Sequence, residues 1–195
     1  AEKIESGKIV VGAKIKQVID KLVYDISDKN SEYYYDNELA HRPITFIENF
    51  VKHYKGVKAG EPFHLDLWQR VIISATFGFV HKETKLRKYK ELLLIIGRKN
   101  GKSAMASAIA LYLLFADGEA APNIVSVATM KDQAKIIWDT SKRYINRSDK
   151  LKEYAKTLVA TIETEFNDGY FKPLASQSDS LDGLDVSGVF IDELH

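Results

Sequence analysis

The stretch LLLIIGRKNGKS, residues 92–103, is the part of the sequence that decides the fold. Its leading apolar run predicts a buried strand from Glu91 to Ile96, and the segment from Lys102 to Phe115 has the pattern of a helix. A short turn that begins and ends with glycine separates the two elements. A strand, a glycine-containing turn and a helix that opens with Lys-Ser form the layout of a phosphate-binding loop.

The chemistry of such a loop depends on backbone amides and a few side chains. Unpaired N–H groups at the helix N-terminus bind anions, and Gly101 allows the backbone to approach a phosphate closely. Lys102 is placed to reach the β- and γ-phosphates, and the Ser103 hydroxyl to bind Mg²⁺. The common pattern G-x-x-x-x-G-K-[ST] has its first glycine at position 96, where this chain has Ile96. The alternative is therefore a strand, turn and helix with a chance Gly-Lys-Ser.

A second motif lies near the end of the chain. Residues 189–191 are apolar and predict a strand, which is followed by Asp192 and Glu193. One carboxylate would hold Mg²⁺ and the other would polarise an attacking water as a general base. The alternative is a strand that ends in two solvated acids. The two motifs have the order that a nucleotide site at the carboxyl edge of a sheet requires.

The remaining pattern indicates helices first and then alternating strands and helices. Helices are predicted over about residues 9–26, from the region of Pro43 to Tyr54, over 66–79 and over 131–145, and strands over 124–128, 158–162, 171–174 and 188–191. This order predicts an α/β fold with a largely parallel central sheet and an α-helical N-terminal layer. We expect residues 1–60 to form that layer and residues 61–195 to form the core.

Composition excludes several classes of protein. The 195 residues are 45% hydrophobic and 28% charged, which is ordinary for a globular domain. There is no cysteine, which excludes a disulfide framework and a thiolate metal site. No apolar run reaches the roughly 18 residues needed to span a membrane, and the polar N-terminus is unlike a secretory signal. The formal net charge of +1 gives no general argument for nucleic acid.

Three stretches together resemble the large terminase subunit of tailed bacteriophages, the ATP-driven motor that packages phage DNA into procapsids. They are PFHLDLWQR at 62–70, GRKNGKS at 97–103, and SLDGLD at 180–185 followed by 189–195. In this family a basic residue early in the loop is expected, which accounts for the departure at Ile96. The resemblance covers the chain from about Tyr34 to the last residue. It implies a P-loop NTPase of the additional-strand, helicase-like type.

The resemblance also implies roles for individual residues. Gln69 would contact adenine, Trp68 and Arg70 would line that pocket, and Arg98 would stabilise the γ-phosphate from within the same subunit. The implied catalytic residues are Glu193, Arg98 and Lys102, and the implied metal ligands are Ser103 and Asp192. The implied nucleotide-binding residues are Trp68, Gln69, Arg70, Gly97, Arg98, Lys99, Asn100, Gly101, Lys102, Ser103 and Ala104. Core packing for Trp68, surface charge for Arg70, and loop shape or DNA contact for Arg98 are the alternatives.

The function implied by the resemblance is ATP hydrolysis with Mg²⁺ that drives double-stranded DNA into procapsids. The implied partners are double-stranded phage DNA, the portal protein, the small terminase subunit and further copies in a homo-oligomeric ring, in the host bacterial cytoplasm and without a membrane. We expect the chain to be a fragment of the ATPase domain, without the coupling strand and nuclease domain and with weak turnover. The alternatives are an unrelated helicase-like ATPase and a nucleotide-binding scaffold without turnover.

Two basic sets and two polar turns have open interpretations. The basic sets are Lys82, Lys85, Arg87, Lys88 and Lys90, and Lys142, Arg143 and Arg147. They are compatible with contact to a DNA backbone, or with solvated surface and with cations favoured at a helix C-terminus. Thr129 either faces nucleic acid or caps the helix that follows. Ser180, Asp182, Gly183 and Asp185 form a turn that is otherwise a simple connection.

Overall fold

The computed structural model describes residues 2–175 and 185–192. The chain divides into two compact units: one comprises Ala1–Arg42 and Arg70–Leu92, and the other comprises Pro43–Gln69 and Leu93–His195. The expected boundary at residue 60 does not coincide with these units, because the second unit contains chain from both sides of it. In the described part of the chain, no helix has both the length and the apolar character needed to cross a membrane.

The predicted alternation of strands and helices is wrong for the end of the chain. The helices are α1 (Glu2–Glu5), α2 (Ala13–Ser27), α3 (Asn37–Phe50), α4 (Leu67–Gly78), α5 (Lys102–Phe115), α6 (Lys131–Arg147) and α7 (Asp149–Tyr154). The strands are β1 (Tyr33–Tyr35), β2 (Phe79–His81), β3 (Asn123–Ala128), β4 (Lys156–Thr157), β5 (Ile162–Thr164), β6 (Gly169–Ala175) and β7 (Gly188–Ile191). Helices α6 and α7 are consecutive, and β4, β5 and β6 follow one another without a helix between them. The predicted bounds of α5 and β7 are confirmed at both ends, and those of α4 and β3 to within one residue.

The second unit is built on a five-stranded sheet with the order β4-β5-β6-β3-β7. Strand β3 is parallel to β6 and to β7, whereas β4, β5 and β6 are antiparallel. The described sheet is therefore mixed, and the prediction of a largely parallel sheet is wrong for this part of the chain. The reason is the short connections from β4 to β5 and from β5 to β6, because a parallel pair needs a crossover of a dozen or more residues.

The interior strand β3, which lies between β6 and β7, is buried along nearly its whole length, as expected for a strand covered on both faces. Helix α5 is apolar on almost every side and is buried from Met105 to Leu114 with few exceptions. Together with Ile124 of β3 and Phe171 of β6, which are fully buried, it forms the core of the second unit. Truncating such a side chain to alanine typically costs about 2–5 kcal/mol.

Two strand predictions are corrected by the structure. Residues 91–96 form no strand, and Ile95 is 86% exposed. An apolar run shows that a segment can be buried, but a strand also needs a neighbour, and no described residue forms a ladder with this segment. The predicted strand over 158–162 is wrong except at its last residue: residues 158–161 form the turn between β4 and β5, and Ile162 begins β5. The Leu158 N–H closes this turn by donating to the Thr161 carbonyl oxygen at 2.8 Å.

A polar seam joins α5 to α6 inside the apolar core. The Ser107 hydroxyl is 2.7 Å from the Ser103 carbonyl oxygen and 3.0 Å from that of Ile137, and the Ser141 hydroxyl donates to the Ser107 carbonyl oxygen at 3.2 Å. Both serines are fully buried, and small side chains let the helices approach closely. Because both serine hydroxyls have partners, the seam joins the two helices without leaving these two groups unpaired.

The first unit contains a buried carboxylate. Asp25 of α2 is 8% exposed and accepts hydrogen bonds from Lys88 Nζ at 3.0 Å, from the Tyr89 hydroxyl at 3.2 Å and from Lys21 Nζ at 3.2 Å. Burial on its own raises the pKa of Asp25, but the hydrogen bonds and charges of Lys88 and Lys21 outweigh it, so the pKa lies below its ordinary value of 3.8. This network ties α2 to residues 88–89.

We expect Asp25→Asn to lower the free energy of unfolding by about 2 kcal/mol at pH 7, because buried hydrogen bonds to a charged group are lost. The folded-state pKa of Asp25 lies below 3.8, so its stabilisation is present above that pH and is lost as the pH falls through the folded-state value. Urea unfolding of the wild type and the variant at pH 7 and in acid measures both effects, and the two curves should converge in acid.

The matched control is Asp20→Asn in the same helix. Asp20 forms a surface ion pair with Lys16, in which both side chains are about half exposed, and such pairs contribute about 0–1 kcal/mol. A loss at Asp20 as large as that at Asp25, or a difference at Asp25 that does not change with pH, contradicts the assignment.

Candidate functional site

Helix α5 begins at a residue in an unusual conformation. Gly101, its N-cap residue, has φ 76° and ψ 16°, which glycine adopts without the steric cost that a Cβ would bring. Among residues 2–175 and 185–192, no side chain caps this end of the helix. The first N–H groups of α5 therefore have no side-chain acceptor in the described part of the chain and can bind an anion, with the positive end of the helix dipole behind them.

We call residues 97–103 the glycine-lysine loop. The Asn100 side-chain amide donates to the carbonyl oxygens of Gly97 at 3.2 Å and Arg98 at 3.3 Å, which closes the turn. Lys99 has φ 64°, a left-handed conformation that is costly for a residue with a Cβ. The first part of the loop is thus held by a side chain of its own.

The C-terminal end of β7 meets the start of α5. The Ser103 hydroxyl donates to Asp192 Oδ2 at 2.7 Å, and Lys102 Nζ lies 3.4 Å from Asp192 Oδ1. The Asp192 side chain is only 12% exposed. The structure therefore brings together three of the predicted site residues, two from the loop and one from 89 residues further along the chain.

Two features bring β7 to this position. Strand β7 pairs in parallel with the buried strand β3, with Val127 opposite Ile191, so both strands end at the same edge of the sheet. Gly188 begins β7 where a Cβ would come within 2.8 Å of Leu113 Cδ1 and 3.3 Å of Ile124 Cδ1. The missing side chain lets β7 pack directly against α5, so Asp192 reaches the start of that helix.

The two oxygen-bearing side chains at this point fit a hard divalent cation. A serine hydroxyl and a carboxylate 2.7 Å apart are oxygen ligands of the kind that Mg²⁺ prefers. Within residues 2–175 and 185–192, no three His, Asp or Glu side chains form a metal-binding group. A metal held here would therefore need further oxygens from water or from a phosphate, which is the usual manner of Mg²⁺ binding beside a nucleotide.

Gln69 lies beside the glycine-lysine loop. It is 5% exposed, and its Oε1 accepts the backbone N–H of Asp66 at 2.8 Å. Asp66 precedes α4 and Gln69 is the third residue of that helix, so this hydrogen bond is half of a capping box. The side-chain Nε2 of Gln69 lies 4.0 Å from where a Cβ on Gly101 would be. The sequence D-x-x-Q before an apolar run carried the signal for this cap, which we missed.

Several predicted site residues take no part in the contact of Ser103 and Lys102 with Asp192. Trp68 is 36% exposed, and Arg70 is half-buried and belongs to the other compact unit. Arg98 and Lys99 are exposed, and no described carboxylate pairs with either side chain. The Ala104 carbonyl oxygen accepts a hydrogen bond from the buried Tyr144 hydroxyl at 3.5 Å. Glu193, with Ser180, Asp182 and Gly183, lies outside the described residues.

The basic residues before the loop make contacts within their own unit. Lys88 is bound to Asp25 and lies over the Tyr89 ring, Lys85 lies over the Tyr34 ring, and Lys82 donates to a backbone carbonyl oxygen. In the second set, Lys142 lies over the Trp138 ring and Arg143 over the Tyr54 ring. These contacts give most of the cations a structural role, which favours the interpretation as ordinary protein surface.

The two remaining polar turns, at Thr129 and at Asp185, lie at opposite edges of the sheet. Met130, not Thr129, is the N-cap of α6, and the Thr129 hydroxyl donates to Gln133 Oε1 at 3.3 Å, so the capping prediction is wrong by one residue. Thr129 nevertheless follows β3 and lies at the sheet edge where β7 ends. The Asp185 carbonyl oxygen accepts a hydrogen bond from Asn123 at 2.7 Å, at the opposite edge.

Fold and site together define a mixed α/β domain in which a glycine-lysine loop faces a carboxylate at the end of a neighbouring strand. The family model described as the terminase large subunit, ATPase domain, matches residues 67–195. The chain therefore belongs to the terminase large subunit ATPase domain family, as its sequence resemblance predicted.

The sequence and the structure of the large terminase of phage HK97 both agree with this assignment. The chain is 31% identical over 113 residues to the terminase large subunit of Enterobacteria phage HK97, which is 57% of this chain and 21% of the relative. It is also similar to the crystal structure of the HK97 bacteriophage large terminase, with a TM-score of 0.66 and 25% identity, over 79% of this chain and 31% of that one. The chain thus spans a fifth to a third of the length of these relatives.

The two hydrogen bonds from the Asn100 side chain, which we call the Asn100 clamp, give a prediction about the loop. We expect Asn100→Ala to accelerate amide hydrogen exchange at residues 98–101 several-fold, because two hydrogen bonds of about 1 kcal/mol each are lost. The melting temperature should change little, because the loop is exposed. Asn30→Ala, which alters an exposed asparagine of the first unit, is the control. Exchange at residues 98–101 that is unchanged in Asn100→Ala contradicts the clamp.

Proposed function

We propose that this protein is a P-loop NTPase that binds ATP and Mg²⁺ at the glycine-lysine loop and Asp192. We further propose that it hydrolyses ATP to drive double-stranded DNA into procapsids. Membership of the terminase large subunit ATPase domain family supports the second part of the proposal. The geometry at the start of α5 supports the first part independently of the family.

The observation that carries the proposal is the contact between Ser103 Oγ and Asp192 Oδ2 at 2.7 Å. A hydroxyl at a helix N-terminus and a carboxylate at a strand end, 89 residues apart, meet where the sheet's parallel strands end. That edge is where α/β proteins bind nucleotides, and the pair is the one that a P-loop enzyme uses for its magnesium ion. A chance Gly-Lys-Ser would not require a carboxylate at this distance.

Each residue has a role in the proposal. The uncapped N–H groups of α5 and the Lys102 ammonium bind the β- and γ-phosphates, and Arg98 adds charge from the exposed part of the loop. Ser103 and Asp192 hold Mg²⁺, which supplies charge neutralisation on the phosphate oxygens when bound. Glu193 orients and polarises the attacking water. Before nucleotide binding, Asp192 keeps Ser103 and Lys102 in place by its own two contacts.

Partners and location are proposed on family grounds. Double-stranded DNA is the proposed substrate of the motor, the portal protein and the small terminase subunit are proposed partners, and a ring of identical subunits is the proposed working form. The proposed site of action is the host bacterial cytoplasm. Trp68 and Arg70 remain predicted to line the adenine side of the site. No DNA-contacting surface is proposed, because most of the basic side chains described above form contacts within their own unit.

The binding step is tested by Lys102→Ala. We expect the affinity for a fluorescent ATP analogue, measured with Mg²⁺ by titration, to fall at least tenfold, because a charged hydrogen bond to phosphate contributes about 1.5–3 kcal/mol. Lys14→Ala, on the exposed surface of α2, is the control and should bind as the wild type does. Equal affinity in Lys102→Ala and the wild type would refute the site.

The hydrolysis step is tested separately by Glu193→Gln. If Glu193 is the general base, kcat falls by about 10²–10⁴-fold while analogue affinity stays within a factor of about three. Glu119→Gln, an exposed glutamate after α5, is the matched control. Unchanged turnover in Glu193→Gln would remove the catalytic assignment, whereas tight binding without turnover in the wild type favours a nucleotide-binding scaffold.

A further inference from the structure

A buried hydroxyl connects Ser103, the proposed magnesium ligand, to helix α6. We propose that Ser107 is a positioning residue, which couples the position of α6 to the pair formed by Ser103 and Asp192. It acts through the backbone of Ser103. The inference rests on the proposed function, because it assigns a role at that magnesium site. Three observations on the second unit carry it: the contacts of the Ser107 hydroxyl, a closed circuit of hydrogen bonds, and burial.

The Ser107 hydroxyl lies between carbonyl oxygens of two different helices. It is 2.7 Å from the Ser103 carbonyl oxygen in α5 and 3.0 Å from the Ile137 carbonyl oxygen in α6. A hydroxyl has a single proton, so the two oxygens compete for it, and a shift of α6 changes the bond to Ser103. A serine that bonds to the carbonyl four residues earlier also bends its helix, here in the turn that carries Ser103. The side chain of Ser103 in turn donates to Asp192 at 2.7 Å.

These contacts belong to a closed circuit around the site. On the far side of α6, the Ser126 hydroxyl of β3 donates to the Ala134 carbonyl oxygen in the first turn of that helix at 2.7 Å. Ser126 is the register partner of Phe190 in β7, two residues before Asp192. The circuit therefore runs from Asp192 through α5 to α6, and back through β3 to β7. Because it closes, α6 cannot move relative to both β3 and α5 without stretching a bond on one side.

Burial keeps these hydroxyl contacts away from water. Ser107 and Ser126 are fully buried, and hydrogen bonds in such a low dielectric are stronger than at the surface. Ser141 is equally buried in the same seam, but its hydroxyl donates to the Ser107 carbonyl oxygen at 3.2 Å. It makes no described contact with Ser103. Two serines of equal burial thus differ in whether their hydroxyl reaches the residue that carries the metal ligand.

A coupling of this kind acts in both directions. If the position of α6 affects the Ser103–Asp192 pair, then occupation of that pair must favour one position of α6 by the same free energy. The Ser107 hydroxyl would therefore transmit the state of the nucleotide site to α6. Removing it should weaken the magnesium-dependent part of binding and leave the rest intact.

The experiment separates the magnesium-dependent part of nucleotide binding from the rest. A fluorescent ATP analogue is titrated into the wild type, Ser107→Ala and Ser141→Ala, once in EDTA and once in saturating Mg²⁺. In Ser107→Ala we expect the affinity gained on adding Mg²⁺ to fall about three- to tenfold, the size of one neutral hydrogen bond, with the affinity in EDTA unchanged. In the matched control Ser141→Ala the gain should equal that of the wild type, although the melting temperatures of both variants should fall by similar amounts.

Hydrogen exchange gives a second readout that needs no turnover. In the wild type and in Ser141→Ala, the analogue with Mg²⁺ should slow amide exchange at residues 134–141 of α6. In Ser107→Ala the same ligands should slow it much less, because α6 no longer has its bond to the Ser103 backbone. Equal protection of α6 in Ser107→Ala and the wild type contradicts the coupling.

The titration can also overturn the proposal in other ways. An unchanged gain in Ser107→Ala does so, and so does an equal loss in Ser141→Ala, since the seam would then act only through helix stability. A loss in Ser107→Ala that is as large in EDTA overturns it as well, because the effect would fall on the phosphates and not on the metal pair. If Ser107→Ala fails to fold, Ser107→Cys, which replaces the hydroxyl by a weak donor, takes its place with the same expectations.

Failure of this inference can be distinguished from failure of the proposed function. A wild type whose affinity for the analogue does not increase with Mg²⁺ refutes the magnesium site and this inference with it. A wild-type gain that persists in full in Ser107→Ala refutes the inference alone.

Discussion

The hydrogen bond between the Ser103 hydroxyl and the Asp192 carboxylate is the constraint on which the site depends. Its length of 2.7 Å requires the start of α5 and the end of β7 to lie next to each other. The register of β7 on β3 sets the height of Asp192, and Gly188 sets how closely β7 approaches α5. The serine seam between α5 and α6 then fixes the helix that carries Ser103. Packing far from the loop therefore sets the position of the contact between Ser103 and Asp192.

The glycine-lysine loop contains one strained residue, Lys99, and two hydrogen bonds from Asn100 that stabilise the turn. Lys99 in the left-handed region costs roughly 1–2 kcal/mol, which is near the gain expected from the two hydrogen bonds of Asn100 at about 0.5–1.5 kcal/mol each. The conformation is thus close to balanced before any ligand binds. A loop that is preformed but not strongly stabilised can bind a phosphate without a large ordering cost and can still change shape afterwards.

The sequence predicted the elements whose ends are marked by glycine or charged residues. It missed the features that depend on pairing with another strand or helix. Helix α5 and strand β7 were predicted to the residue, because glycine or charge marks each boundary. Residues 91–96 looked like a strand because they are apolar, but strand formation depends on a neighbouring strand, which no local pattern reports. The α5–α6 seam was equally invisible, since Ser107 and Ser141 resemble ordinary polar helix positions. The hydrogen bond by which Gln69 caps α4 at Asp66 could have been predicted from the sequence D-x-x-Q, but it was missed.

Counting basic residues along the chain overstates the surface available to DNA. Five cations between residues 82 and 90 suggest a patch, but Lys88 neutralises the buried Asp25, and the Lys85 ammonium lies 4.8 Å from the centre of the Tyr34 ring. A cation committed in this way releases fewer counterions on a phosphate backbone, because its charge is already compensated. Moving Lys88 to DNA would leave a carboxylate buried without its closest cation, at a cost larger than one phosphate contact returns. In the first unit, Lys88 is therefore better understood as the structural partner of Asp25 than as a cation available to DNA.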